Sequence, residues 1–233
     1  MTLHRESRLP AVAPALVLDN QVLLPATSVS LILTELTDLA LINDLCDRPA
    51  PLRFLVTTHP RPVVTLASTI DCQNEVHLEY GVIALLTDVC SVQGGLECRF
   101  EGRSVCRVES LPAGLGPGAP YRQVRVRHLV DRPDPLALAR RETTDLIQAF
   151  LGLCTTFGLA AGDIRADSHE PVDLNGLVYR IASSVASDPT ALRPMLAERC
   201  PSARRQMVLR MIVRQIGFAQ RERLLARHTD GHC

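Results

Sequence analysis

Residue types able to do chemistry gather in only a few places along this 233-residue chain. Asp167-Ser168-His169-Glu170 sets acid, hydroxyl and imidazole side by side, the components of a hydrolytic triad. Adjacent positions cannot aim three side chains at one another, and working triads assemble from distant segments. With Gly162 and Pro171 beside it, the stretch reads as a solvated loop. His128 has no acid or nucleophile spaced to work with it as a base. His228, His232 and Cys233 meet only in a terminal stretch of the kind that frays. The cysteines are Cys46, Cys72, Cys90, Cys98, Cys106, Cys154, Cys200 and Cys233, and none forms the short Cys-x-x-Cys spacing of a zinc site. They read as reduced, small core residues. The expectation is no catalytic residue, no metal ligand and no cofactor.

All 25 basic residues are arginine; the chain contains no lysine. That excludes a phosphate-loop lysine, a serine–lysine dyad and a Schiff-base lysine. Arginine cannot substitute, because its guanidinium holds its proton too tightly. Acidic residues also number 25, so the net charge is zero and a global polyanion-binding charge is missing. Local groups remain. Arg122, Arg125, Arg127 and Arg132 follow one another closely, and residues 199–227 carry eight arginines against Glu222 alone. Each group is either a solvated face paired with acidic neighbours or a docking face for an acidic protein or nucleic acid. The partner-binding candidates are Arg122, Arg125, Arg127, Arg204, Arg205, Arg210 and Arg214. Aromatic residues are only 3% of the chain, too few to favour single-strand stacking, so nucleic acid is the weaker alternative.

The elements that position these residues change character near residue 134. Before it, runs rich in Val, Leu and Thr read as strands: Asn20 to Pro25 leading into Val29 to Leu33, then Leu52 to Val56 and Val63 to Ala67. Leu36, Leu39, Ile42 and Cys46 mark one helix, with Thr34 or Thr37 as its cap. Val82 to Cys90 and Leu96 to Phe100 form a hairpin about Gln93-Gly94-Gly95. A second turn at Glu101-Gly102-Arg103 leads into Val105 to Val108, and Tyr121 to Val130 is a last strand. Residues 112–120, rich in Gly and Pro, read as a mobile surface excursion. Beyond 134 the period is helical. Asp134-Pro135 opens a helix that Gly158 closes, Asp173 opens a second, Asp188-Pro189 a short third and Ser202 the last. The expected fold class is α+β, a small antiparallel β-barrel over residues 9–133 followed by a helical bundle over 134–228.

This order, read with Leu16 to Pro25, Tyr80-Gly81-Val82-Ile83-Ala84, Leu96 to Arg103 and the helical pair Leu174 to Ala186 and Leu192 to Ile212, resembles the N-terminal domain of Lon proteases, a PUA-like barrel plus helical bundle. Departures are Ala26 where the family usually has glycine, Ser30 for a proline, and arginine across the bundle surface. The resemblance extends to free-standing Lon substrate-binding-domain proteins without the ATPase and protease modules. It implies a non-enzymatic, ATP-independent module that recognises a protein or peptide partner. No apolar run approaches the roughly 20 residues that span a bilayer, and the first residues lack the apolar core of a signal peptide. A cytoplasmic protein with no membrane partner is expected.

Overall fold

Two residues per repeat on a pleated strand send alternate side chains to opposite faces, and the first half of the chain uses this to build a ring. The computed structural model describes residues 12–18, 20–49, 53–58, 80–110, 120–158 and 173–229. Its six strands are β1 (Val12–Val17), β2 (Ser28–Leu33), β3 (Phe54–Thr58), β4 (Tyr80–Val92), β5 (Gly95–Ser110) and β6 (Gln123–His128). They run in the order β2-β5-β4-β3-β1-β6, and β6 pairs back onto β5. Five strands therefore close on themselves, while β2 lies along the first part of β5. Ala13, Ala15, Val56, Ile83, Cys106, Val108 and Val124 fill one core cluster of this ring.

The α+β class holds, with one pairing of a kind the alternation could not show: β1 and β3 are parallel. Parallel neighbours need a crossover, and helix α1 (Leu36–Cys46) lies on the connection between them, burying Leu41, Ile42 and Leu45. Its N-cap is Glu35, with no side-chain bond, rather than either threonine. The stretch Asn20 to Pro25 is not a strand; β1 precedes it, and Leu23 and Leu24 are buried from irregular backbone. Nor does the chain turn at Glu101-Gly102-Arg103. β5 runs straight through, and its register against β4 shifts between Ile83 and Ala84, leaving Arg103 as the extra residue of a bulge. A bulge and a tight turn share the same local composition, so sequence could not separate them. The expected strand at Val63 to Ala67 and the loop at 112–119 lie outside the described residues.

Gly102 has to be glycine for room: a Cβ there would stand 2.1 Å from the Leu24 carbonyl oxygen. Ala26 shows the opposite situation. Its φ of 58° is left-handed, at the third position of the turn Leu24-Pro25-Ala26-Thr27, where Thr27 N–H donates to Leu24 O at 3.2 Å. That position of a turn led by proline ordinarily takes glycine.

Two compact units result, Met1–Leu129 and Val130–Cys233. The second contains α2 (Leu136–Phe157), α3 (Leu174–Val185), a 3-10 turn (Pro189–Leu192), α4 (Arg193–Ala197) and α5 (Pro201–Thr229). Gly158 closes α2 with φ 65°, and Asp173 and Asp188 cap their helices by accepting from the N–H groups of Asn175 and Thr190. Asp134 does not cap α2: Pro135 holds that position, and Asp134 accepts from an arginine of α5 instead. Residues 130–133 belong with the helices, because Arg199 donates to the Val130 carbonyl and its own carbonyl accepts from Arg132 N–H at 2.8 Å.

Candidate functional site

The arginines of α5 whose side chains are described have two fates, buried or exposed. Arg204 and Arg205 are 3% and 2% exposed, inside the helical unit. Arg205 donates through Nη2 to Asp134 at 2.7 Å and through Nε to Glu142 at 2.8 Å, and Ser202 Oγ donates to the second Glu142 oxygen. Arg204 bonds the Tyr179 hydroxyl and Asp131, with its guanidinium 5.0 Å from the Tyr179 ring centre. Burial opposes its charge, yet Tyr179 and Asp131 outweigh that and raise its pKa. Burial in turn raises the Tyr179 hydroxyl. These two arginines, expected on a docking face, are thus interior residues whose charges are spent on acidic partners. Arg204 and Arg205 lie four and three residues before the buried Val208, on the inward stripe of the helix.

Arg210, Arg214 and Arg221 are exposed. At 100° per residue they share one narrow stripe facing away from Val208, Ile212 and Ala219. Arg199 is tied to the Val130 carbonyl, and the side chains of Arg223 and Arg227 lie outside the described residues.

The barrel unit carries the other candidates. Arg122, Arg125 and Arg127 are exposed, with no ion pair among the described residues. Strand register adds a residue that sequence reading passed over. Arg107 of β5 stands directly opposite Arg127 of β6, and Glu109 opposite Arg125. On the far side of β5, Tyr80 faces Arg107, and on the far side of β6, Val12 faces Arg125. Opposed residues in an antiparallel pair share a face. Arg107 and Arg127 therefore form one outward rung, with Glu109 and Arg125 the next. The alternation of Arg107 with Cys106 and Val108 was legible; which residue lay opposite was not.

In the same unit Tyr121 Oη donates to Asp44 at 2.6 Å, and Arg48 Nη2 donates to the same carboxylate oxygen at 2.5 Å. The Tyr121 bond, then Arg48, holds the Asp44 carboxyl below its usual range against a desolvation that raises it. Burial pushes the Cys98 thiol up to about 11 and the Cys106 thiol up to about 12, so both stay protonated and inert at neutral pH. His128 is exposed at the end of β6. Asp167 to Glu170 and the terminal His232 and Cys233 lie outside the described residues. Among the described residues no three His, Cys, Asp or Glu gather as a metal site, and no helix is long and apolar enough to cross a membrane.

A model of the ATP-dependent protease La (Lon) substrate-binding domain matches residues 12–214. The chain belongs to that family. The N-terminal domain of Mycobacterium avium complex Lon protease shares the fold at 17% identity and a TM-score of 0.64, over 87% of this chain and 98% of that one. A Lon N-terminal domain protein from Xanthomonas campestris matches at 17% identity and a TM-score of 0.55, over 85% and 96%. No curated protein matches. A Lon substrate-binding domain is a non-catalytic module.

Proposed function

We propose that this protein is a non-catalytic recognition module of PUA-like architecture that holds exposed segments of other polypeptides, without ATP and in the cytoplasm. The observation that carries the reading is the family match across 12–214, joined to a fold that spans nearly all of a Lon N-terminal domain. Arg122, Arg125 and Arg127 are the contact residues on the barrel. The test compares native α-lactalbumin with the same protein reduced and carbamidomethylated, which leaves composition and charge alike and changes only whether the chain is folded. The unfolded form binds in isothermal titration and the native form does not; equal binding of both, or of neither, defeats the reading.

A second reading has one specific observation in its favour, the exposed stripe of Arg210, Arg214 and Arg221 on α5. It makes that helix a nucleic-acid contact. Affinity for a single-stranded oligonucleotide would then fall about a thousandfold between about 50 and 200 mM salt, if about six phosphates are engaged.

A further inference from the structure

Like charges directly opposite on neighbouring strands repel and weaken a sheet, and the barrel unit places such a pair in the open. Arg107 and Arg127 face each other across β5 and β6, both exposed. Neither side chain has an ion pair or hydrogen bond among the described residues. Their Cα atoms are separated by the spacing of opposed residues, about 4.5–5.5 Å, so the two guanidinium groups reach one shared point above the sheet. A single carboxylate there accepts from both and removes the repulsion.

The spacing continues along the strand. Arg125 is two residues from Arg127 on the same face, about 7 Å away. An extended polypeptide repeats its side chains at the same interval. Acidic residues at alternate positions of a partner therefore fall over Arg127 and Arg125 in turn. Half-buried Glu109, opposite Arg125, sets the polarity of the surface: two open cations at one end, a mixed pair at the other. A uniform polyphosphate would meet Glu109 as a repulsive charge, whereas a polypeptide can leave that position neutral.

We infer that the Arg107–Arg127 rung, with Arg125 beside it, docks an extended acidic segment of a polypeptide partner. The inference rests on the recognition reading and names the chemistry of the segment recognised. The experiment is fluorescence anisotropy of the full chain with a short labelled peptide of alternating Glu and Thr, its Gln–Thr counterpart, and an oligouridylate. The Glu peptide binds and the Gln peptide does not. Arg107→Ala/Arg127→Ala, with the fold checked by circular dichroism, weakens the Glu peptide about tenfold or more. Arg107→Glu/Arg127→Glu transfers the preference to a Lys–Thr peptide.

If unfolded α-lactalbumin binds the wild type while the Glu peptide fails, the inference falls and the recognition reading stands. If neither probe binds, both fall. Oligouridylate that binds tighter than the Glu peptide, and is lost in the alanine pair, assigns the rung to nucleic acid and overturns the inference.

Discussion

The two units treat the same side chain in opposite ways. In the barrel unit, Arg107, Arg125 and Arg127 stand outside a ring whose described core cluster holds only apolar side chains and a cysteine. In the helical unit, Arg204 and Arg205 are buried and bonded to Asp131, Asp134, Glu142 and Tyr179. The difference follows from geometry. A strand sends neighbours to opposite faces, so an arginine between two core residues must point out. A helix distributes side chains around an axis, and a long arm on its inward stripe can carry charge into the interior if carboxylates meet it there. Arginine count alone thus says little about a surface; the period of the element decides which charges a partner can reach.

The sharpest way to break this contrast is Arg205→Ala. Removing it leaves Asp134 and Glu142 without their shared cation, and the helical unit loses about 3–5 kcal/mol. Arg210→Ala, five residues along the same helix but exposed, stays within about 0.5 kcal/mol. Equal losses in chemical denaturation would mean that the buried cluster contributes nothing special.

The barrel unit should respond to its backbone instead. Ala26→Gly relieves a left-handed alanine, and the gain is about 1 kcal/mol after the greater freedom of glycine in the unfolded chain is subtracted. A destabilised Ala26→Gly protein would show that the turn is not strained as its φ implies.

The smallest effect belongs to one paired charge of the barrel unit, Asp44. The Asp44 carboxyl is held low by the bond from Tyr121 and by Arg48, so its stabilising contribution is present above the ordinary carboxylate pKa of about 3.9. It is lost as pH falls through the lower folded value. Tyr121→Phe lets Asp44 return toward its usual range, so the variant is less stable at neutral pH and converges with the wild type in acid. Denaturation midpoints followed against pH check this; a gap that persists unchanged into acid would remove Asp44 from the account.

Much of the fold was legible in the sequence because caps and periodicity are local. Asp173, Asp188 and Gly158 mark helix ends by chemistry that acts within a few residues, and the structure keeps all three. What was not legible is what depends on distant partners. Asp134 reads as a cap until α5 brings Arg205 to it. Gly102 reads as a turn until Leu24 arrives 2.1 Å from where its Cβ would be. The candidate surface divides along the same line. Arg125 and Arg127 could be placed outward from alternation alone, but Arg107 joins them only through the β5–β6 register. The inward position of Arg204 and Arg205 is, by contrast, legible in their spacing to Val208, although their charge points to a surface.

The closed ring has a consequence for how a partner would be held. β6 spends its backbone on β1 and on β5, and among the described strands β2 alone has a single neighbour. Where β6 is paired on both sides, at Val124 and Arg125, a chain lying across it would be gripped by the tips of long charged side chains rather than by main-chain bonds. Contacts of that kind act more on how quickly a partner arrives than on how long it remains. A surface so built would survey many chains in rapid succession and keep few of them.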